Sequence, residues 1–495
     1  MASVSLRASV AVGLGWTGGA HWLGVATSTV TTIVVARLLV PADFAVVAAA
    51  GALAGVLGVL QESGLGAAVV HHGGEEDRAA STGFFLNLAA ATAGLMVCVA
   101  LTPWLAGFFH IDRPEPLAVA FAPMWLRAWI NVPVARLQKA LDFRRCAMVE
   151  GAQILCYPAV TIPLALAGTG AWSLVLGQAA ATAAGAVAAW ALSPWRPRLA
   201  EFDWTTGRQL VRYGRPLVWS NVLGMVNDRI DNWVTGRLLG PVALGLYAMS
   251  FRLATLPRTG FTFVVSRVLF PTLTVLQGDE RRFREAFLRS LHWVAALAMP
   301  ASAGLALLAP EIVAVALGPR WAGAVTPLRV LSCFALLAAL SATTGDVFKA
   351  TGRSALIFRI GLVHSAALWT GLWLLAPYGI AWVALAVTIA ALLSSSTAFT
   401  CALTALRIRP VVLAGAVWAP ALATMLMSAG VMAARHLPLV PGPVRLVLLT
   451  GLGATVYVAT LALLAPADVQ EIGAAVTAVR KRRSPDATAA AASVK

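Results

Sequence analysis

Fourteen apolar stretches, each near the roughly 20 residues that a helix needs to cross a bilayer, fill most of this 495-residue chain. They run over 9–36, 44–70, 82–109, 117–134, 149–166, 171–192, 216–235, 246–276, 288–308, 322–344, 356–375, 380–403, 411–433 and 444–464. The fifth is interrupted by Pro158 and Pro163, and only Gly168-Thr169-Gly170 separates it from the sixth. Charged residues make up 12% of the chain and hydrophobic residues 59%. A soluble chain carries about 25% charged residues. There is too little polar surface here to coat a globule, so the expected solvent is lipid and the expected class is an all-α polytopic membrane protein.

The formal net charge of +16 does not point to nucleic acid, because the basic residues fall in short runs between apolar stretches rather than along one stripe. One set of alternate loops holds Arg78, Lys139, Arg144, Arg145, Arg196, Arg198, Arg208, Arg212, Arg215, Arg281, Arg282, Arg284, Lys349, Arg353, Arg407 and Arg409. The tail adds Arg480-Lys481-Arg482-Arg483. The other set holds mainly Arg37, Arg113, Arg237, Arg320 and Arg435. Positive charge stays on the cytoplasmic side, so an even count of crossings with both termini cytoplasmic is expected. The first apolar stretch lacks a small-residue cleavage site, so no cleaved leader is expected. The five cysteines show no C-x-x-C spacing, and their odd number argues against a disulfide framework.

The pentapeptide Arg37-Leu38-Leu39-Val40-Pro41 returns 200 residues later as Arg237-Leu238-Leu239-Gly240-Pro241, with four of five residues matched. Six apolar stretches separate the copies, and an even number of crossings restores the same orientation. That is the pattern of two like-oriented transporter halves around a central site. The expected organisation is a first lobe over 1–193, a linker over 194–215, a second lobe over 216–404, two extra helices within 405–465 and a basic cytoplasmic tail over 466–495. The linker's Pro194-Trp195-Arg196-Pro197-Arg198 reads as a surface segment anchored by Trp. Trp204 to Val211 reads as an interfacial helix.

Soluble-enzyme signatures are absent. There is no G-x-x-x-x-G-K-[ST] phosphate loop, and no cofactor is expected. His71-His72 before Glu75-Glu76-Asp77 reads as a solvated turn rather than a metal site, since nothing fixes ligand geometry. The informative polar residues lie inside apolar stretches. A lone charge at the bilayer centre costs about 2.5–3.5 kcal/mol on the insertion scale, so Asp228, Arg229 and Asp231 require partners, water or both. Asn221, Asp228 and Asn232 share one helical face. On the next stretch Thr255, Arg258, Thr259, Thr262 and Ser266 form a polar stripe, with Arg252 a turn earlier. The stripe suits a hydrated cavity in which Arg holds phosphate oxygens; the alternative pairs Arg258 with Asp228 or Asp231. Arg267 lies near the cytoplasmic end, where it can snorkel. Arg127 and Arg136 read as helix-end anchors. Glu62 is either a proton site or a polar helix end. Upstream of the repeated motif, Thr27, Ser28, Thr29, Thr31 and Thr32 fall opposite Asn227, Asp228, Arg229, Asp231 and Asn232. Both halves therefore carry a polar cluster at the same place, neutral in the first and charged in the second.

Several segments resemble the polysaccharide-transporter branch of the multidrug/oligosaccharidyl-lipid/polysaccharide (MOP) exporter superfamily, in particular flippases of the WzxC type. They are Ala36 to Phe44, Leu141-Asp142-Phe143-Arg144-Arg145, Gly236 to Pro241 with Leu244-Gly245-Leu246-Tyr247, Val268 to Leu273, and Ala350-Thr351-Gly352-Arg353. Val40 replaces the Gly usual before this Pro, which stiffens that turn. The resemblance implies two six-helix lobes in a V around a central cationic cavity, with two further C-terminal helices, working by alternating access in the bacterial cytoplasmic membrane. It implies an undecaprenyl-diphosphate-linked oligosaccharide as substrate, membrane lipids as surroundings and polysaccharide polymerase or assembly proteins as partners. In that frame Arg229, Arg252, Thr255, Arg258 and Thr262 are expected to meet substrate, and Asp228, Asp231 and Glu62 to couple an ion. The competing readings are a cation-coupled drug antiporter and, in a different class, a polytopic polysaccharide polymerase or ligase. The short outer loops weigh against the latter.

Overall fold

A computed structural model describes residues 2–71, 76–208, 224–437 and 442–466, with side chains except at 2–17, 56, 59–71, 76, 258–268, 270–272 and 354. The linker beyond Arg208 and the basic tail beyond Pro466 lie outside the described residues. No strand occurs among the described residues. Helices α1 (Ala2–Leu38), α2 (Pro41–His71), α3 (Glu76–Ala100), α4 (Thr102–Phe109), α5 (Glu115–Val119), α6 (Ala122–Lys139), α7 (Phe143–Leu166) and α8 (Ala171–Leu192) form the first half. They are followed by α9 (Ile230–Val275), α10 (Glu280–Leu307), α11 (Val325–Ala350), α12 (Ser354–Leu375), α13 (Ile380–Leu406), α14 (Pro410–Arg435) and α15 (Pro443–Leu464).

Among the described residues, twelve helical segments are long and apolar enough to cross a membrane. The difference from fourteen has two sources. The second stretch lies in α2, a 31-residue helix over Pro41–His71 whose side chains are described without a gap only as far as Gly55. The seventh and eighth stretches fall within one segment, Gly224–Pro257. Gly240 divides that segment with φ 82° and ψ 179°, a conformation open to glycine. Pro241 then starts the next helix with its φ already set. The fifth stretch is continuous through Pro158 and Pro163.

The chain falls into two compact units. The first comprises Met1–Leu253, Ala316–Leu331 and Gly361–Leu393; the second comprises Ala254–Val315, Ser332–Ile360 and Ser394–Lys495. Within the first, α8 packs closely on α7. Its sequence explains why: Gly177, Ala181, Gly185 and Ala189 recur every fourth residue and are all buried. Such small residues let helix backbones approach in a membrane, where apolar burial against lipid gives no driving force. A β-carbon at Gly177 would lie 1.9 Å from Thr161 Oγ1. The repeated motif is a packing point as well. The Trp321 indole donates to the Ala36 carbonyl at 2.8 Å, and Arg37 Nε donates to that of Ala316 at 3.1 Å. Gly245, just past the second copy, brings its backbone against the carbonyl of Pro41 in the first.

The linker is latched to α3. Ser81 Oγ donates to the Glu201 carboxylate at 2.7 Å, and the Asp203 amide donates to Thr82 Oγ1 at 3.1 Å. Trp195 is buried beside Phe84, with Trp129 and Trp190 in the same cluster. In the second unit α10 packs on α14, and α14 on α15. The Tyr457 hydroxyl donates to the Ala296 carbonyl at 2.6 Å, and His292 Nδ1 donates to that of Ala416 at 2.7 Å.

Candidate functional site

The helical turn described from Gly224 loosens at Asp228-Arg229, where two turn residues interrupt it before α9 starts at Ile230. The Arg229 amide reaches back only three residues, to the Val226 carbonyl at 3.2 Å. Irregular backbone at membrane depth is tolerated where it is buried in protein or lines a water-filled cavity, and broken helices form the sites of many transporters. The polar cluster flagged in the sequence is therefore also the place where this helix breaks.

Its side chains take separate roles. Asn227 ties the break to α12: its amide donates to Ser365 Oγ at 2.7 Å, and the Trp369 indole donates to its oxygen at 3.2 Å. Asp228 is exposed and lies within electrostatic reach of His364, which donates to the Ala390 carbonyl. Asp231 is buried, at 4% exposure. Its carboxylate accepts from the Tyr247 hydroxyl at 2.7 Å and from the Asn232 amide at 2.8 Å. That bond links the helical segments on either side of Gly240.

Arg229 turns into a cavity of about 330 Å³ in the first unit, lined also by Arg127, Gln178, Thr182 and Met225. One wall is made of small residues of α2, Ala50, Gly51, Ala54 and Gly55. Among the described residues, the buried Arg229 Nε has no hydrogen-bond partner. Two guanidinium groups, an amide and a hydroxyl on an otherwise apolar wall form a site for an anion with several oxygens.

Arg252 meets the other polar cluster. Its guanidinium donates to Ser28 Oγ at 2.6 Å, and Tyr157 lies within electrostatic reach. The neighbouring hydroxyls of Thr29, Thr31 and Thr32 donate back to carbonyls four residues earlier, each at 2.7 Å. They are satisfied inside their own helix. Thr255 is half-buried on α9. The side chains of Glu62, Arg258 and Thr262 lie outside those described, as do Asn221 and residues His72 to Glu75.

Among the residues expected at a site, the structure brings Arg252 to Ser28, places Asp231 on Tyr247 and leaves Arg229 in the cavity. Sequence reading missed Arg127 as a cavity residue, and missed Gln178, Tyr247, His364 and Ser365. An arginine inside the fourth apolar stretch was a visible signal. The other four had none beyond being polar in an apolar run.

Residues 34–326 match the model of a family described as polysaccharide biosynthesis protein. The teichuronic acid biosynthesis protein TuaB of Bacillus subtilis is 25% identical over 304 residues, 61% of this chain and 62% of TuaB. This chain thus spans less than two thirds of TuaB's length. The lipopolysaccharide biosynthesis protein WzxC of Escherichia coli is 23% identical over 368 residues, 72% of this chain and 73% of WzxC. The succinoglycan biosynthesis transport protein ExoT of Rhizobium meliloti is 26% identical over 341 residues, 68% of each. Among solved structures, the lipid II flippase MurJ in an inward closed conformation matches with a TM-score of 0.74 at 13% identity, over 92% of this chain and 99% of that one. An inward-facing MATE family multidrug transporter of the MOP superfamily gives 0.64 at 15% identity, over 77% and 94%. The fold is that shared by these transporters.

Proposed function

We propose that this chain, which belongs to the family of polysaccharide biosynthesis proteins, is a flippase that moves a lipid-linked oligosaccharide from the cytoplasmic to the outer leaflet of a bacterial cytoplasmic membrane. Fourteen crossings, two lobes over 1–193 and 216–404 and an extra helix pair within 405–465 are the organisation we assign. The observation that carries the reading is the cavity with Arg127 and Arg229, in which the buried Arg229 Nε has no partner among the described residues. A diphosphate and a sugar cannot enter hydrocarbon without replacement of their water. A guanidinium with an unused donor supplies that replacement, and its planar fork matches phosphate oxygens.

In this reading Arg229 and Arg252, with Thr255, Arg258 and Thr262 further along the same chain segment, meet the substrate. Asp228, beside His364, and Glu62 serve ion coupling. Asp231 acts through Tyr247, fixing the break at Gly240. Translocation makes and breaks no covalent bond, and alternating access needs only two arrangements of the helices. The carrier we assign, undecaprenyl diphosphate, is the one that the resemblance to WzxC-type flippases implies.

The test replaces Arg229 by Gln and, separately, Arg252 by Gln in cells that depend on this chain for polymer export. Membrane levels of the protein should stay normal while lipid-linked repeat units accumulate on the cytoplasmic face. Normal export in both variants would remove these arginines from the mechanism. Unchanged glycan export with lost resistance to hydrophobic cations would favour a drug antiporter.

A further inference from the structure

A cavity within the second unit, of about 910 Å³, contains none of the residues assigned above. Four helix ends build it: the C-terminal ends of α11 and α13 and the first turns of α10 and α12. The two C-terminal ends use the same device. The Arg353 amide donates to the Phe348 carbonyl at 2.8 Å, with Gly352 at φ 69°; the Ile408 amide donates to the Leu403 carbonyl at 3.0 Å, with Arg407 at φ 52°. This wrap-around turn closes a helix by bonding its last free carbonyls. Here both copies deliver an arginine, Arg353 and Arg407, to the cavity wall.

The electrostatics follow. Helix C-terminal ends carry partial negative charge and N-terminal ends partial positive charge; two of each meet here, so the dipoles offset and the side chains decide. Three arginines face one glutamate. Glu280 is used by Arg284, at 2.6 Å. Among the described residues, the Arg353 and Arg407 guanidinium groups have no acidic or hydrogen-bonding partner. The rest of the wall joins an apolar patch, Phe283, Leu356 and Leu406, to the polar side chains of Gln277, Thr351, Thr400 and Thr404. A polar rim of cations over an apolar floor at the ends of membrane helices fits an anionic lipid head.

We infer that this cavity binds the phosphate head of an anionic membrane lipid, with Arg353 and Arg407 on the phosphate oxygens and Phe283, Leu356 and Leu406 against the carbons next to it. The inference does not depend on the flippase reading. A free phosphate compound shares the chemistry of the head but has no use for the apolar floor.

The test uses the full-length purified protein and native mass spectrometry with added dioctanoyl phosphatidylglycerol, dioctanoyl phosphatidylcholine or inorganic pyrophosphate. The phosphatidylglycerol adduct should exceed the phosphatidylcholine adduct, and the R353Q/R407Q double variant should bind it at least about tenfold more weakly. Arg281→Gln, whose guanidinium pairs with Glu285 outside the cavity, should change nothing. Equal retention of the two lipids, or undiminished phosphatidylglycerol binding by a folded double variant, would overturn the site. Pyrophosphate held as tightly as phosphatidylglycerol would overturn the lipid as its ligand. A photo-crosslinking residue in place of Leu356 reads the same point on a chain that keeps both arginines. An adduct with phosphatidylglycerol and not phosphatidylcholine supports the site, and no adduct, or equal adducts, refutes it.

Discussion

A β-carbon on Gly245 would sit 1.8 Å from the Pro41 carbonyl oxygen, and no rotamer change relieves that contact because the obstacle is backbone. Gly185 offers a contrast: the atoms nearest its β-carbon would be those of the Gln153 side chain, at 2.5 Å, which can swing aside. Overpacking typically costs about 1–3 kcal/mol. Gly245→Ala should fall at or above the top of that range and Gly185→Ala near its foot. Thermal unfolding in detergent, followed by tryptophan fluorescence, should rank them in that order; equal midpoints would mean that the two motif copies are not packed against each other as described. Tyr247→Phe tests a buried polar contact instead. It removes the hydroxyl that donates to Asp231 at 2.7 Å, leaving a buried carboxylate short of a partner. That loss costs about 1–3 kcal/mol. A Tyr247→Phe midpoint equal to the wild type would show that water satisfies Asp231 and that the bond does not secure the break at Gly240.

At the level of elements, apolar length and glycine and proline placement made most helices readable from the sequence. Gly240-Pro241 announced its own break, whereas α7 continues through Pro158 and Pro163, as a membrane helix can where its neighbours satisfy the freed backbone groups. What periodicity does not carry is partnership. It put Ser28 and Arg252 on polar faces of separate helices, yet nothing in either stretch says that they meet across 224 positions. Arg127 was read as an anchor because a helix end and a cavity wall look alike in one dimension. The linker shows local chemistry that is legible. Asp203 opens the helix described over 204–208. Its carboxylate accepts from the Thr205 and Thr206 hydroxyls and amides. Those bonds, the Thr205 hydroxyl foremost, hold its pKa well below the ordinary carboxylate value. A depressed carboxyl stabilises the folded form above its unfolded pKa, about 3.9, and loses that contribution as pH falls toward the folded value. The stability gap between wild type and Asp203→Asn should therefore hold from neutral pH down to about pH 4 and shrink below it. A gap that widened on acidification would contradict the cap.

For the whole molecule the parity of crossings matters more than their number. Among the described residues, twelve helical segments meet the length and hydropathy that a span requires, and the Gly240 break and α2, 31 residues over Pro41–His71, are where two more would be added. Adding both, or neither, keeps the termini on one side; adding one does not. Loop charge gives an independent constraint, because positive residues are retained in the cytoplasm. Arg113 and Lys139 flank the fourth apolar stretch, and Arg320 and Arg409 lie an odd number of proposed crossings apart; all four are exposed. In a chain freed of its five native cysteines, single cysteines at these positions should react with a membrane-impermeant maleimide in intact cells at 113 and 320, and only after permeabilisation at 139 and 409. Labelling of 113 and 139 from the same side would mean that the fourth stretch does not cross. If 113 and 139 behave as expected while 320 and 409 exchange sides, the error lies among the fifth to ninth crossings, where the Gly240 break separates the seventh from the eighth. The pattern separates a fault in one helix from a fault in the two-lobe organisation, because each position reports the parity of all crossings before it.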